Sequence, residues 1–379
     1  MSSRFARIAL LAALVLGALV PASGAAAAFA PRLLVTPVSA ETAAALPAGA
    51  AAPAGTGVLV DVRAAATDDA LARVVLHLPL GTQALAPRAG QAVGRATATA
   101  LTATGAGVPL AGTVTGIAAD ATTGACATGR GVLAVDFPYN GATVRVRVVI
   151  ADPPASVSTF SAATFTACVP AASKPEAAGL RITGLVLGLG AAALRTTAVP
   201  GTYRWRALVT PFAAGSADEN PAAAAEAQSL LRLPQQLTAS ARLVVERKPV
   251  DVKVTRSVGG KPVTAVERHV LVTRFAEVRG HALEGDGAAS SEVAVSGGTA
   301  PGSLRQLVQV APAGDGSFSV RIQIDTAAPA VSFQARLAAG PRDLGGSACT
   351  PSFGAVPCVS ATAPALKLAS PVVTLVTGR

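Results

Sequence analysis

The chain has 379 residues and a formal net charge of +10, and half of its residues are hydrophobic although only 3% are aromatic. This length allows two domains of ordinary size, each able to bury a core. The basic residues alternate along predicted strands and are not interleaved with aromatic rings as base-stacking surfaces require, which argues against nucleic acid as a partner.

The N-terminus has the features of a secretory signal peptide. Arg4 and Arg7 form a short positive region, residues 8–20 are an apolar run, and small residues follow Pro21. The run is shorter than the roughly 20 residues that span a bilayer. We therefore predict cleavage between Gly24 and Ala28, no retained transmembrane anchor, and a secreted, extracellular protein.

Further along the chain, apolar and polar residues alternate with a period of two in residues 58–63, 143–150, 318–325 and 331–337. Such alternation is typical of half-buried antiparallel strands. Residues 182–194 are apolar but short and rich in glycine, which favours a buried strand followed by a turn over a membrane span. The pattern predicts an all-β protein of tandem antiparallel β-sandwiches, Ig-like in size, with little helix.

One segment favours helix. Asn220 and Pro221 precede an alanine-rich stretch, which is a combination typical of a helix N-terminus. It predicts one short helix or turn that runs into a strand at residues 229–233. The alanine run at residues 43–54 contains prolines and a glycine, and it is predicted to be a loop.

The predicted organisation is a signal peptide at 1–28, a large or elaborated β-sandwich domain at 31–240 and an Ig-like β-sandwich domain at 245–379. The boundary falls within residues 237–250. The first unit could itself be two sandwiches divided at residues 171–178.

The cysteines are the most informative side chains. An exported chain with four cysteines is expected to pair them, and the domain division favours Cys126 with Cys168 and Cys349 with Cys358. A zinc knuckle or a redox pair would need closer C-x-x-C spacing. Both pairs are therefore predicted to be structural disulfides.

No catalytic, cofactor or metal site is predicted. The motifs of serine hydrolases, zinc proteases, P-loop enzymes and EF-hands are absent. Gly259, Gly260 and Lys261 resemble part of a P-loop, but a strand-to-strand turn explains them better.

Three histidines and one acidic pair are candidate metal ligands. His77, His269 and His281 could bind a metal only with carboxylates such as Glu267 or Glu284 nearby, and ordinary surface or strand histidines are favoured. The pair Asp68 and Asp69 suits a turn, which calcium could bridge in a secreted sandwich. Trp205, the sole tryptophan, suits a core position better than a sugar-stacking platform.

Two segments carry resemblances to known proteins. Residues 277–298 and 313–322, with a Val-x-Gly start, the Asp315–Gly316 pair and an aromatic two residues on, resemble carboxypeptidase regulatory-like and related bacterial Ig-like domains. That resemblance implies a non-catalytic β-sandwich that stabilises, spaces or binds. Asp315–Gly316 also predicts a type I′ hairpin by its own chemistry. Residues 72–83 and 201–212 resemble uncharacterised secreted proteins of high-GC Gram-positive bacteria.

Together these features predict a secreted, non-enzymatic protein with a structural or binding role at or near the cell envelope, without a cofactor. Its partner would be a cell-wall polymer or another envelope protein. The alternatives are a carbohydrate or wall-polymer binding module and a secreted hydrolase with an unfamiliar site.

Overall fold

The computed structural model describes residues 29–37, 57–65, 68–118, 126, 129–197, 199–325 and 328–377. The predicted signal peptide and the predicted loop at residues 43–54 lie outside these residues. Strands dominate the described ranges, so the prediction of an all-β, largely antiparallel fold is confirmed. No helix in the described part is long and apolar enough to cross a membrane.

The first thirteen strands and the last eleven belong to two parts of the chain. The first set is β1 Arg32–Pro37, β2 Val58–Arg63, β3 Leu71–Pro79, β4 Gln83–Ala84, β5 Ala92–Leu101, β6 Gly107–Ile117, β7 Gly131–Tyr139, β8 Ala142–Ala151, β9 Ser161–Cys168, β10 Arg181–Leu189, β11 Leu194–Arg195, β12 Gly201–Pro211 and β13 Ala225–Leu233.

The second set is β14 Gln235–Val258, β15 Lys261–Glu284, β16 Gly287–Ala288, β17 Val293–Gly298, β18 Arg305–Val310, β19 Ser317–Gln323, β20 Ala330–Ala339, β21 Arg342–Asp343, β22 Cys358–Ala363, β23 Leu366–Ala369 and β24 Val373–Val376. Single 3-10 turns lie at Ala155–Val157, Pro175–Ala177, Pro221–Ala223 and Gly346–Ala348.

Three of the four alternating segments lie within strands, namely β2, β8 and β20, and residues 318–325 run two residues past the end of β19. Residues 182–194 form most of the buried strand β10 and the turn after it, as predicted. The segment after Asn220, predicted to be a short helix or turn, is a single 3-10 turn, and the strand that follows, β13, begins at Ala225 and not at Ser229. Asn220 makes no side-chain capping bond, and Ala225 and Ala227 pair with β12, so sheet formation overrides their helical propensity.

Eleven strands of the first part, joined by β21 and β22 from the second, form a curled 13-stranded sheet, ordered β1-β2-β10-β5-β6-β7-β8-β9-β3-β12-β13-β22-β21, and β4 pairs with β11 separately. Its apolar side chains form one core, which includes Leu33, Val146, Phe165 and Trp205. The predicted division at residues 171–178 lies between β9 and β10, and both strands contribute to this same core.

The curl brings β1 beside strands at the far end of the sheet. The hydroxyl of Ser360 donates to the carbonyl of Pro31 at 2.6 Å, and that of Thr362 donates to the carbonyl of Leu33. The amide of Val35 donates to the hydroxyl of Ser229 at 3.0 Å. Side-chain hydroxyl groups thus form hydrogen bonds with backbone groups that, in a regular β-sheet, would bond the backbone of a neighbouring strand.

The second part forms a sandwich of two antiparallel sheets. One holds β14, β15, β16 and β19, and the other holds β17, β18, β20, β23 and β24. A separate core lies between them, built from residues such as Val278, Phe318, Val295 and Phe333.

The two parts of the chain are joined in two ways. The predicted boundary, residues 237–250, lies inside β14, which begins two residues after β13 ends and carries the chain from the first sheet into the second sandwich. Later, β22 returns to the first sheet and pairs in parallel with β13, with Gln228 opposite Ala361. The sequence did not predict this return.

The Asp315–Gly316 pair does not form the predicted type I′ hairpin. Only Gly316 has a positive φ, of 81°, and the strands on either side pair with different partners, β18 with β17 and β19 with β15. The turn therefore crosses between the two sheets. The type I′ conformation, with both central residues at positive φ, occurs at Asn140–Gly141 and at Gly259–Gly260.

Gly280 and Phe318 explain why the second sandwich carries a glycine in its central strand. They are directly opposite in the β15–β19 ladder. A Cβ atom at Gly280 would lie 1.8 Å from the carbonyl oxygen of Thr238 and 2.6 Å from the Phe318 ring. The ring thus covers the glycine, an arrangement that only a residue without a side chain permits.

We expect Gly280→Ala to lower the free energy of unfolding by about 1–3 kcal/mol, because the added methyl group must displace backbone or ring atoms. Urea unfolding measures the change. Gly287→Ala is the matched control, since no atom lies within 4 Å of its Cβ position. Equal stability of the two variants would contradict the packing argument.

Candidate functional site

The structure brings the cysteines together in the two predicted pairs. Cys126 and Cys168 have Cα atoms 6.3 Å apart, and those of Cys349 and Cys358 are 5.7 Å apart. Both pairs are disulfide-bonded, and the described residues include no free cysteine. Cys168 ends β9 and Cys358 begins β22, so each bridge fixes a loop to the end of a strand.

The Cys349–Cys358 loop binds to the first sheet through two buried side chains of β13. The amide of Ser352 donates to Glu226 Oε2 at 2.9 Å, and Gln228 Nε2 donates to the carbonyl of Thr350 at 2.7 Å. The amide of Thr350 donates in return to Gln228 Oε1 at 3.3 Å. Glu226 and Gln228 are fully buried, so the loop supplies partners that both side chains require.

Phe353, near the middle of that loop, completes an aromatic cluster. Its ring centroid lies 4.8 Å from that of His77 and 5.9 Å from that of Phe160. The guanidinium of Arg206 lies over the Phe160 ring at 4.1 Å, and its Nε atom is 3.8 Å from Glu226 Oε1. The ring pairs lie at distances that favour attraction between rings, and Arg206 lies where a cation is attracted to the face of the Phe160 ring.

His77 is neutral at physiological pH in this cluster. Its side chain is 5% exposed. Burial disfavours the imidazolium and the charge of Arg206 adds to the effect, which lowers the pKa of His77 to about 4. Its Nδ1 atom has no hydrogen-bond partner, and the disulfide loop packs over the ring. The arrangement acts as a packing contact between the two parts of the chain.

The other predicted candidates do not converge with His77. His269 is exposed, 3.4 Å from Glu267 on the same strand, and the exposed His281 lies opposite Thr238. Within the described ranges, no group of three or more His, Cys, Asp or Glu side chains could hold a metal.

Asp68 and Trp205 also occupy structural positions. Asp68 accepts a bond from the amide of Ala65, which is the turn geometry that the sequence suggested. Trp205 is 1% exposed and lies in the first core, so it offers no surface to a sugar. Asp69 and Arg181 line a cleft of about 270 Å³, but neither belongs to a convergent cluster.

The feature that the sequence did not predict is a projecting arm, residues 246–273, formed by the distal halves of β14 and β15. The third strand, β19, pairs with β15 only from Phe275 to His281, and no other described strand pairs with residues 246–273. About 13 residues of each strand therefore extend past the sandwich, roughly 40 Å at 3.4 Å per residue. The Gly259–Gly260 turn closes the ribbon at its tip.

The arm concentrates exposed apolar side chains. It is less than a tenth of the chain, yet it holds seven of the fourteen large hydrophobic residues that are exposed in the described part: Val252, Val258, Val263, Val266, Val270, Leu271 and Val272. None of them belongs to either core. Exposed apolar side chains that are concentrated on one element in this way indicate an interaction site.

The arm is also basic. It holds three of the five lysines in the chain, and its six cations outnumber its three acids. The cations are Arg247, Lys248, Lys253, Arg256, Lys261 and Arg268. Arg256 and Arg268 pair with Glu267 and Asp251, respectively, within the arm. At its base, Arg242 and Arg279 bond Glu277 and hold the pKa of that carboxyl below its usual value.

No protein-family model, curated protein or solved structure matches this chain. The resemblance of the second part to carboxypeptidase regulatory-like and bacterial Ig-like domains stays a prediction, and the function must be argued from the site itself.

We expect the unfolding free energy to fall by about 2 kcal/mol between about pH 7 and pH 5 through His77 alone. The pKa of His77 is near 4 when folded and near 6.5 when unfolded, so stability is lost as pH falls through that window. Urea unfolding against pH measures it. His77→Gln should remove this component and His269→Gln should retain it. An unchanged pH dependence in His77→Gln would contradict the burial argument.

We expect the double substitution of Cys349 and Cys358 by Ser to lower the unfolding free energy by about 2–3 kcal/mol. The same substitution of Cys126 and Cys168 should lower it by about 4 kcal/mol, because the Cys126–Cys168 bridge closes a longer loop. Urea unfolding gives both values. Peptide mapping without reductant checks the pairing, and a bridge between the two pairs would contradict the structure.

Proposed function

We propose that the chain is a secreted, non-enzymatic β-sandwich protein with a binding role at or near the cell envelope, and that the arm, residues 246–273, is its contact surface. The observation that carries the proposal is the cluster of seven exposed apolar side chains on a ribbon that neither core covers.

The energetics of an isolated ribbon support a binding role. A two-stranded hairpin is marginally stable in water, and exposed valines add to the hazard of aggregation. Lysines on exposed strand edges protect against that hazard, and Lys248, Lys253 and Lys261 all lie on the arm. A long apolar arm that is protected by charge is suited to bury its surface against a partner.

The rest of the structure supports a scaffold role. The parallel return strand β22 and the docked Cys349–Cys358 loop, which a disulfide closes, fasten the second part of the chain to the first sheet. A firm base holds the arm in a defined direction, which lowers the entropic cost of binding.

The test is binding to isolated cell envelope, separated into wall and membrane fractions. The key variant lacks residues 249–258 and 261–270, so that Lys248 and Leu271, which are directly opposite, flank the Gly259–Gly260 turn. We expect the full chain to cosediment with one fraction at physiological salt and the shortened chain to lose at least tenfold in affinity, because the deletion removes five of the seven exposed apolar side chains.

The shortened chain should unfold at the same urea concentration as the full chain, since the deleted residues contribute to neither core. Equal binding of the two chains would overturn the assignment of the arm. If the full chain binds more tightly than the shortened chain only at low salt, and equally at modest salt, the difference is an effect of basic charge without an apolar contribution, and this result would also contradict the assignment.

A further inference from the structure

We propose that the tip of the arm, residues 252–266, binds an anionic lipid surface, a proposal that rests on the arm being the contact surface. The tip lies between Asp251 and Glu267. It contains Lys253, Arg256 and Lys261 and no acidic residue. Lys253 and Lys261 form no ion pair with any described residue, while Arg256 pairs with Glu267 at the margin of the tip.

The register places an apolar side chain directly opposite each of these cations. Val258 faces Lys261, Val263 faces Arg256 and Val266 faces Lys253. Directly opposed residues share one face of the ribbon, so each pair presents a hydrophobic group and a positive group at the same height. Long cationic side chains bury their stems and extend their charges, which places the charges at phosphate level when the valines enter the interface.

The pattern continues toward the base of the arm. Leu271 faces Lys248 and Val272 faces Arg247, and the exposed fractions of these two apolar side chains are 55% and 42%. Successive pairs alternate between the two faces of the ribbon. Both faces therefore carry the same combination of apolar and positive groups.

This distribution selects among possible partners. A protein surface covers one face of a ribbon, whereas a fluid interface surrounds the tip and covers both. A second copy would bring two arms of equal positive charge together, which is unfavourable. A soluble polyanion would neutralise the cations but would leave the valines in water. An anionic lipid surface satisfies both kinds of group.

The depth of insertion is limited by the backbone. The outer edges of both arm strands have no described partner strand, and unpaired backbone groups do not enter hydrocarbon. The tip ends in the Gly259–Gly260 turn, with Val258 and Val263 close to it and 63% and 50% exposed. Insertion that stops at the headgroup level keeps the edges hydrated while these two side chains are covered.

The experiment measures cosedimentation of the full chain with vesicles of phosphatidylglycerol and phosphatidylcholine, and with vesicles of phosphatidylcholine alone. One variant is Lys253→Gln/Arg256→Gln/Lys261→Gln and the other is Val258→Ser/Val263→Ser. Their matched controls are Lys174→Gln/Arg195→Gln/Lys367→Gln, with the same change of charge at exposed positions, and Val199→Ser/Leu307→Ser, at positions that are 65% and 50% exposed.

We expect binding to the anionic vesicles only. The charge variant should lose on the order of 100-fold in affinity and the apolar variant about tenfold, while both controls bind as the full chain does. No binding to anionic vesicles would overturn the proposal. Normal binding of Val258→Ser/Val263→Ser would also overturn it. So would competition by inorganic polyphosphate that abolishes vesicle binding at the same phosphate concentration as the lipid, because either result shows recognition of charge alone.

Self-association is measured in parallel by sedimentation velocity over a range of concentrations. Dimers that disappear in Val258→Ser/Val263→Ser would assign the tip to a second copy and overturn the lipid proposal. If the full chain does not bind vesicles, but it binds cell envelope and the shortened chain does not, the lipid inference fails and the arm remains the contact surface.

Discussion

The ladder between β14 and β15 determines how the second half of the chain is arranged. Each strand has 24 residues, and they pair without a bulge from Gln235 with Glu284 to Val258 with Lys261. Near its base, β19 and the opposite sheet cover the ladder, and residues such as Leu237 and Val278 enter a core. Beyond Phe275 no described strand pairs with either of its edges. One continuous set of backbone hydrogen bonds thus produces both a sandwich wall and an exposed arm.

Polar contacts between β13 and the Cys349–Cys358 loop hold the returning segment on the first sheet, and they carry an energetic cost. Fully burying Glu226 and Gln228 is unfavourable unless each finds partners, and the Cys349–Cys358 loop supplies them. Removal of the loop would take away the amide of Ser352 from Glu226 and the carbonyl of Thr350 from Gln228, and would leave these side chains only each other and Arg204 as hydrogen-bond partners among the described residues. The disulfide therefore does more than close a short loop, because it holds Ser352 and Phe353 where Glu226 and His77 require them.

Local pattern predicted the strands well, since alternation in segments such as residues 143–150 reflects one buried face. It could not predict partners. The parallel return of β22 depends on contacts across more than 100 residues, and the Asp315–Gly316 turn is compatible with a hairpin or with a crossing between sheets.

The cysteine pairs could be predicted from the sequence because four cysteines allow few pairings. The arm was missed because its valines resemble those of a buried strand, and only the structure shows that no layer covers them. The matched alternation on both sides of Gly259–Gly260 was the available signal.

Hydrogen–deuterium exchange of the full chain, with and without isolated cell envelope, tests most directly whether the arm is the contact surface. Amides at the outer edges of residues 246–273 have no described partner strand, so they should exchange quickly in the free protein. Envelope should slow amide exchange within residues 246–273 and leave amide exchange in both cores unchanged. Protection that falls on other parts of the chain, with exchange in the arm unaltered, would contradict it.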